Sequence, residues 1–194
     1  MLRLHFRELY TPRLQLRKLT MEDTPVFFSR LGSSKSVTRY MLWKPHASIE
    51  ESAASIQKAL KRYETGDSFR WAITLKNTGE LMGIIDLIPR DIPNGVCSFA
   101  YMLAESFWNQ GYGTEALNAV IDFAFRDWGA EMIQADHFAE NGASGTVMGK
   151  AGMVYRHTLA GKYEKGGHIH DAHVYCITRH QWQIRSKESH SDNS

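Results

Sequence analysis

The feature that most constrains the fold is a strand-like run followed by a Gly-x-Gly turn and an amphipathic helix. Val96–Leu103 is apolar and aromatic, and the turn after it reads Trp108-Asn109-Gln110-Gly111-Tyr112-Gly113-Thr114. Apolar residues then recur at helical spacing from Ala116 to Phe125. The first amides of a helix lack intrahelical partners, and glycines let an anion approach them closely. The pattern predicts a phosphate-binding turn, with a tight turn that merely needs two glycines as the alternative.

The same turn fits the dinucleotide-binding pattern G-x-G-x-x-G/A, which makes a nicotinamide-dependent oxidoreductase a second hypothesis. Gly111 and Gly113 are followed by Ala116, and Asp136 lies where an acid that binds ribose would stand. That fold needs repeated strand–helix alternation with the glycines directly after a strand. Here residues 104–110 intervene, and the preceding strands are joined by turns too short for crossover helices. We therefore reject a Rossmann fold, and a nicotinamide-dependent oxidoreductase stays a further functional option. A Walker A loop is excluded because no Lys-Ser/Thr pair follows the glycines.

Turn residues and hydrophobic spacing divide the rest of the chain into short elements. The predicted strands are Thr11–Leu19, Arg70–Lys76, Glu80–Ile88, Val96–Leu103, Met132–His137, Met153–His157 and Ala172–Arg179. Besides the helix after the Gly-rich turn, helices are predicted over Met21–Leu31, from Ser48 to Glu64 with a stop at Gly66, and over Asn141–Ala151. The three middle strands predict an antiparallel meander, and a loop with Gly161, Gly166 and Gly167 is predicted between the last two strands.

The length of 194 residues predicts a single domain over residues 1–182, with a polar, disordered tail over 183–194. A net charge of +2 predicts no broad field for nucleic acid and leaves a local basic patch as the alternative. Cys97 and Cys176 lie in apolar strands and are interpreted as buried free thiols. No leader and no apolar run of membrane-spanning length occurs, so we expect a soluble, cytoplasmic protein with no membrane partner.

Two motifs make the chain resemble the GCN5-related N-acetyltransferase (GNAT) superfamily. The first, FWNQGYGTEAL with Trp108 in first position, resembles the pyrophosphate loop of the branch of bacterial ribosomal-protein N-terminal (alanine/serine) acetyltransferases. The second is Asn141-Gly142-Ala143-Ser144 with the downstream Lys150-Ala151-Gly152-Met153, where Met153 replaces a phenylalanine. Asp171–Tyr175 near Trp182, and Trp43-Lys44-Pro45-His46, are weaker matches, and together the resemblance covers roughly Thr11 to Trp182.

The resemblance implies an α/β, GNAT-like fold: a central mixed, mostly antiparallel twisted sheet with helices on both faces. It implies acetyl-CoA as co-substrate, no metal, and direct attack of an amine on the thioester. The turn residues Asn109, Gln110, Gly111, Tyr112, Gly113 and Thr114 would hold the pyrophosphate. Backbone groups of Met102 and Leu103, at a strand bulge, would bind the pantetheine arm and polarise the thioester, or else are ordinary strand residues.

The second motif would supply further contacts to the cofactor. Asn141 suits a pantetheine amide and also a helix N-cap. Ser144 would protonate the leaving thiolate, with a plain solvent-facing serine as the alternative. Lys150 would touch the adenosine phosphate, or is a solvated lysine on a helix.

The acceptor side is less constrained. Tyr40, Trp43 and His46 precede the second helix in the region that covers the acceptor in this fold, although Tyr40 and Trp43 suit core packing equally well. Asp86 is placed with them as a residue of the acceptor site. The general base stays open among residues at strand ends: Asp86, Glu105, Asp136, His137 and Asp171. His168, His170 and His173 form an HxHxxH cluster, for which a pocket or surface loop is favoured over a metal site.

The acceptor is expected to be a protein N-terminus, such as that of a ribosomal protein, or a small amine: an amino sugar, a polyamine or an amino-acid derivative. A binding module that senses acetyl-CoA without turnover is the hypothesis from another class. Direct binding of nucleic acid is not expected. The sequence leaves the oligomeric state open, with a homodimer as one option.

Overall fold

The computed structural model describes residues 6–65 and 69–191, and the chain divides into two compact units. Unit 1 comprises the described residues up to Ile88 together with Phe99–Val120, and unit 2 comprises Pro89–Ser98 and the described residues from Ile121. The predicted stop of the second helix at Gly66 lies outside the described residues.

The elements of unit 1 follow turn residues and apolar spacing closely. The strands are β1 Leu9–Tyr10, β2 Leu14–Arg17, β3 Phe69–Leu75, most of β4 Leu81–Asp91 and the second part of β5 Val96–Leu103. The helices are α1 Thr24–Phe27, flanked by a 3-10 turn Met21–Asp23 and a π turn Phe28–Gly32, then α2 Ile49–Thr65, a 3-10 turn Glu105–Phe107 and most of α3 Tyr112–Phe123. β3, β4 and β5 are neighbours in the sheet and β3 pairs antiparallel with β4, as the predicted meander requires.

The strands of unit 1 are ordered β1-β2-β3-β4-β5, and β1 to β4 pair antiparallel. One residue of β4 is bulged, because Ile73 pairs with Gly83 while Thr74 pairs with Leu81. Buried apolar residues of α1, α2, the sheet and the segments between them form one core: Leu19, Phe27, Leu31, Val37, Ile56, Ala59, Ala72, Leu81, Ile84, Met102 and Ala104. Burying each large side chain of this kind contributes about 1.5–3 kcal/mol, which fixes the frame that carries the Gly-rich turn.

Unit 2 contains the remaining elements. They are the π turn Ala124–Trp128, β6 Met132–Phe138, α4 Gly142–Lys150, β7 Val154–Lys165, β8 His168–Thr178 and α5 Arg179–Ser191. The strand order is β5-β6-β8-β7. Val96 and Cys97 pair parallel with Met132 and Ile133, whereas β6–β8 and β7–β8 are antiparallel. The predicted fold class, α/β with a mixed and mostly antiparallel sheet, is confirmed.

The last two strands are longer than the sequence predicted. β7 and β8 are joined by Gly166 and Gly167, with φ of 62° and 80°, which is the backbone of a two-residue type I′ hairpin turn. Gly161, with φ of 63°, lies where the β7–β8 register shifts between Leu159 and Tyr163. The three glycines therefore mark a turn and a bulge, so the prediction of a loop between these strands is wrong.

The polar C-terminal end is helical through Ser191, where composition predicted a tail without structure from residue 183. The helix is anchored at Trp182, whose Nε1 donates to the Asp122 carboxylate at 2.7 Å and whose ring stacks on Phe125 at 5.3 Å. Arg185 also donates to the Lys150 carbonyl at 2.9 Å. These contacts come from residues distant in sequence, so the local composition did not reveal them.

Within the part of the chain that the structure describes, no helix combines the length and the apolar character needed to span a bilayer. Cys97 and Cys176 are buried free thiols, as predicted. Burial raises the pKa of the Cys97 thiol to about 12, so this sulfur is not a nucleophile at neutral pH.

Candidate functional site

The Gly-rich turn of unit 1 leads into α3 through two residues in the left-handed region. Asn109 has φ of 60° and Gly111 has φ of 82°, and Asn109 is the one residue other than glycine with positive φ in the described ranges. α3 then begins at Tyr112, and the Glu115 N–H donates to the Gly111 carbonyl at 3.0 Å to close its first turn. The amides that precede Glu115 are those for which a helix offers no internal acceptor, so the arrangement fits a diphosphate.

The turn is contacted by an ion pair between Arg13 and Glu115, which the sequence did not predict. Glu115 receives a hydrogen bond of 2.6 Å from the Thr11 hydroxyl and one of 2.6 Å from Nε of Arg13. Burial alone would raise the pKa of the Glu115 carboxyl, but these hydrogen bonds and the charge of Arg13 lower it instead. Arg13 also donates to the Gln110 carbonyl at 3.1 Å. No sequence spacing could have linked Arg13 to a residue 102 positions later.

The end of β5 is buried and closely packed. Met102 and Leu103 are 5% and 7% exposed, and a Cβ on Gly83 would lie 2.2 Å from the Met102 carbonyl. Trp108 donates from Nε1 to the Leu103 carbonyl at 2.8 Å while its side chain stays 41% exposed. Trp108 is thus an anchor between the strand and the turn. The roles of Met102 and Leu103 toward the thioester stay predictions.

In unit 2, Asn141 and Ser144 meet at the start of α4. Asn141 is the N-cap, accepting from the Ser144 N–H at 3.4 Å, and its Nδ2 donates to the Ser144 hydroxyl oxygen at 3.1 Å. The N-cap interpretation is therefore correct, and the same amide orients the serine hydroxyl. Lys150 lies exposed at the other end of this helix.

Among the residues considered as a general base, the carboxylates are engaged by other groups. Asp86 accepts from Arg70 at 2.6 and 2.9 Å. Asp136 accepts from Lys162 and from the Tyr163 hydroxyl. Glu105 accepts hydrogen bonds from the hydroxyls of Ser34 and Ser36, and Asp171 accepts one from the Gly161 N–H.

His137 differs from these carboxylates. It is 6% exposed, its Nδ1 lies 2.7 Å from the Phe138 carbonyl, and its Nε2 is the one buried side-chain polar atom without a hydrogen-bond partner in the described residues. Because a carbonyl only accepts, Nδ1 carries the hydrogen and Nε2 presents a lone pair. A Cβ on Gly145 would lie 3.0 Å from Nε2 and 3.1 Å from the Tyr175 hydroxyl, so the glycine leaves room beside both groups.

We expect His137 to make the protein less stable in mild acid. Burial lowers the pKa of His137, and the nearby His173 also lowers it, while the Phe138 carbonyl and Asp136 oppose them. The unfolded chain, with a histidine pKa of about 6.5, then binds more protons than the folded protein below that pH. The free energy of unfolding should therefore fall as pH decreases below about 6.5, by at most about 1.4 kcal/mol per pH unit for this one group.

The comparison is urea unfolding of wild type, His137→Gln and His168→Gln between pH 7.5 and 5, where His168 serves as an exposed histidine of the same sheet. His137→Gln should show a shallower dependence on pH, and His168→Gln should follow wild type. An equal slope for wild type and His137→Gln would contradict the expectation.

The residues expected to face the acceptor are partly used for packing. Trp43 packs against the core of unit 1, and its ring lies 4.9 Å from that of His46. His46 shares a hydrogen bond of 2.7 Å with the Ser52 hydroxyl, and burial lowers its pKa while the charge of Glu51 opposes the shift. Tyr40 is half-buried, with the guanidinium of Arg39 5.3 Å from its ring centre. Their role toward an acceptor, like that of Asp86, stays a prediction.

The HxHxxH cluster lies on β8. His168 and His170 share one face of the strand, whereas His173 lies on the other, because alternate residues of a strand point to opposite sides. His170 bonds the Glu140 carboxylate at 2.9 Å, and His173 packs edge-to-face on His137 at 5.5 Å. Across residues 6–65 and 69–191, no group of three or more His, Cys, Asp or Glu is placed to hold a metal ion.

Comparison with known proteins gives matches over most of the chain. A family model described as "Acetyltransferase (GNAT) domain" matches residues 13–154. The "Uncharacterized N-acetyltransferase YoaA" of Bacillus subtilis (strain 168) is 29% identical over 174 residues, which is 90% of this chain and 98% of that protein.

Solved structures agree with the fold. A complex described as "RimL- Ribosomal L7/L12 alpha-N-protein acetyltransferase in complex with Coenzyme A" has a TM-score of 0.80 at 20% identity, covering 89% of this chain and 98% of that one. The spermidine N-acetyltransferase from Vibrio cholerae in complex with CoA and spermine has a TM-score of 0.77 at 18% identity, covering 89% and 99%. At these identities the likeness concerns the fold.

Proposed function

Because this chain belongs to the GNAT family of acetyltransferases, we propose that it transfers acetyl from acetyl-CoA to the free amine of a protein N-terminus. The enzyme class, an acetyl-CoA-dependent N-acyltransferase, follows from the family. The observation that carries the proposal is the start of α3. Left-handed Asn109 and Gly111 lead there into amides that suit a diphosphate.

The Gly-rich turn and the start of α4 are each proposed to contact the cofactor. In unit 1, the amides of Asn109–Thr114 bind the diphosphate, and the backbone of Met102 and Leu103 binds the pantetheine arm. In unit 2, Asn141 binds a pantetheine amide and Lys150 binds the adenosine phosphate. Support comes from the N-capped start of α4 and from a neighbouring fold that was solved with CoA.

The proposed chemistry is a direct transfer. The lone pair of a neutral amine attacks the thioester carbonyl carbon, the C–S bond breaks, and its electron pair leaves with sulfur. Ser144 gives a proton to the sulfur and regains one from water, and the Leu103 N–H stabilises the carbonyl oxygen as it gains charge. For the proton that the amine loses, we propose His137 as the base, because its Nε2 lone pair has no protein partner in the described residues.

Two classes of acceptor compete within this chemistry. A neighbour in fold is named for the N-terminus of ribosomal L7/L12, and another was solved with spermine. We place a protein N-terminus first for this chain, because the Trp43–His46 aromatic pair would suit the flat peptide bond that follows an N-terminal amine. Polyamines, amino sugars and amino-acid derivatives form the second class.

Release of CoA thiol from acetyl-CoA, measured over an acceptor panel, tests this proposal. The panel holds lysine-free peptides beginning with Ala or Ser, the same peptides with a blocked N-terminus, spermidine, glucosamine and an amino-acid amide. We expect kcat/KM for a free N-terminus to exceed that of each small amine at least about tenfold, and blocked peptides to be inert. A small amine as the best substrate would overturn the acceptor, and CoA binding with no turnover on any amine would indicate a sensor.

A further inference from the structure

Arg13, which lies just before β2, contacts the Gly-rich turn at several points. Its Nε donates to Glu115 at 2.6 Å, its Nη1 donates to the Gln110 carbonyl at 3.1 Å, and its Cζ lies 4.2 Å from the Tyr112 ring centre. The backbone amide of Arg13 also donates to Glu115 at 3.0 Å. A flexible arginine is thereby fixed in one position beneath the turn.

The hydrogen bond to Gln110 fixes the orientation of one peptide plane. The peptide bond between Gln110 and Gly111 is trans, so its C=O and N–H point in opposite directions. Since Arg13 holds the Gln110 carbonyl on its own side, the Gly111 N–H is directed to the other side. Gly111 has φ of 82°, a region that glycine adopts more freely than other residues. The Gln110 side chain donates to the Ser106 carbonyl at 2.8 Å and the Glu115 N–H to the Gly111 carbonyl at 3.0 Å, and Arg13 adds a restraint on the Gln110 carbonyl itself.

We propose that Arg13 is a positioning residue that presents the Gly111 N–H to the diphosphate of acetyl-CoA, and that Glu115 holds Arg13 in place. This rests on the proposed function, because it assumes that the turn binds the diphosphate. The first position of the loop motif is filled by Trp108, which carries no charge and instead donates to Leu103. The orientation of the turn therefore comes from a side chain outside the motif.

The competing explanation is that Arg13 contacts the diphosphate with its charge. The two explanations predict opposite changes in CoA affinity for Glu115→Gln. If charge matters, Glu115→Gln removes a competing negative charge and strengthens CoA binding. If position matters, the same change loosens Arg13, frees the Gln110–Gly111 peptide and weakens CoA binding. Arg13→Lys separates them again, because one ammonium keeps the charge but cannot reproduce the guanidinium fork that bridges Glu115 and the Gln110 carbonyl.

The test is calorimetric titration of CoA into wild type, Arg13→Ala, Arg13→Lys and Glu115→Gln. Arg30→Ala serves as a control, because Arg30 is about as exposed as Arg13 and pairs with Glu80 instead of a residue of the turn. We expect Kd to rise about 10-fold or more in all three turn variants, as loss of a hydrogen bond to a charged group implies, and to stay unchanged in the control. Wild-type affinity in Arg13→Lys, or tighter binding in Glu115→Gln, would overturn the positioning role.

A second measurement excludes a general loss of structure. kcat/KM with S-acetylpantetheine, which lacks the diphosphate, should be the same in wild type and Glu115→Gln, whereas kcat/KM with acetyl-CoA should fall in the variant. An equal fall with both substrates would mean that Glu115 only supports the fold, which overturns the proposal. If wild type itself uses both substrates equally, the diphosphate site fails, and this outcome is distinct from failure of Arg13 alone.

Discussion

Gly111→Glu should raise the Kd for CoA at least about 100-fold, because it combines a backbone penalty with charge repulsion. Gly111 has φ of 82°, which costs about 1–2 kcal/mol for a residue with a Cβ. The new Cβ would lie 3.4 Å from Nη2 of Arg13, so the glutamate side chain would begin beside the Arg13 guanidinium. Its carboxylate would stand where the diphosphate is proposed to bind and would compete for Arg13. Calorimetric titration with CoA measures the effect.

Gly79→Glu is the matched control for the backbone penalty. Gly79 has φ of 72°, and no atom lies within 4 Å of the position of its Cβ. The two variants should lose similar thermal stability, and Gly79→Glu should bind CoA like wild type. An unchanged Kd in Gly111→Glu would remove the diphosphate from this turn.

Ser144→Ala should lower kcat about 100-fold, a typical contribution for a group that transfers a proton, while the Kd for CoA changes less than about threefold. The Ser144 oxygen accepts from Asn141, so its own hydrogen is directed away from that amide. The affinity should persist because other groups carry binding of the cofactor. Steady-state kinetics with the best acceptor, combined with CoA titration, separates the two quantities.

Thr146→Ala tests whether any lost hydroxyl on α4 has the same effect. Thr146 donates to the Gly142 carbonyl at 3.1 Å within the same helix and is exposed. Its removal should leave kcat within about twofold of wild type, as expected for a surface change. Wild-type turnover in Ser144→Ala would exclude the serine from the reaction.

The elements that could be predicted from the sequence are those determined by local chemistry. The glycine at position 111 predicts a tight turn, and the apolar spacing after it predicts α3. The strand–turn–helix unit can therefore be predicted from neighbouring residues. The N-cap at Asn141 was equally local, because its amide bonds the Ser144 N–H three positions later. The family resemblance then extended these segments to a fold class.

The contacts that the sequence did not reveal are non-local. Arg13 and Glu115 are 102 positions apart, and nothing in either segment indicates that they meet. The same holds for Trp182 and Asp122, whose hydrogen bond anchors the C-terminal helix. Gly166-Gly167 was interpreted as part of a loop, because composition does not distinguish a hairpin turn from a longer connection without the pairing of β7 with β8.

The candidate general bases can be told apart only by the contacts that each side chain makes in the folded protein. The sequence does not distinguish Asp86 from any other carboxylate on a strand. The structure shows that it forms an ion pair with Arg70, whose Nε lies 2.6 Å from Oδ1. For His137 the sequence shows neither its burial nor the hydrogen bond of Nδ1, which together leave Nε2 without a partner among residues 6–65 and 69–191. The hydrogen-bond partners of these side chains therefore distinguish His137 from the carboxylates as the candidate base.

A crystal structure of the protein with CoA would show where the diphosphate binds. We predict diphosphate oxygens within about 2.7–3.2 Å of backbone amides between Asn109 and Thr114, with the Gly111 N–H among the donors. A CoA molecule whose diphosphate lies away from the start of α3 would contradict the claim, whatever the enzyme's activity.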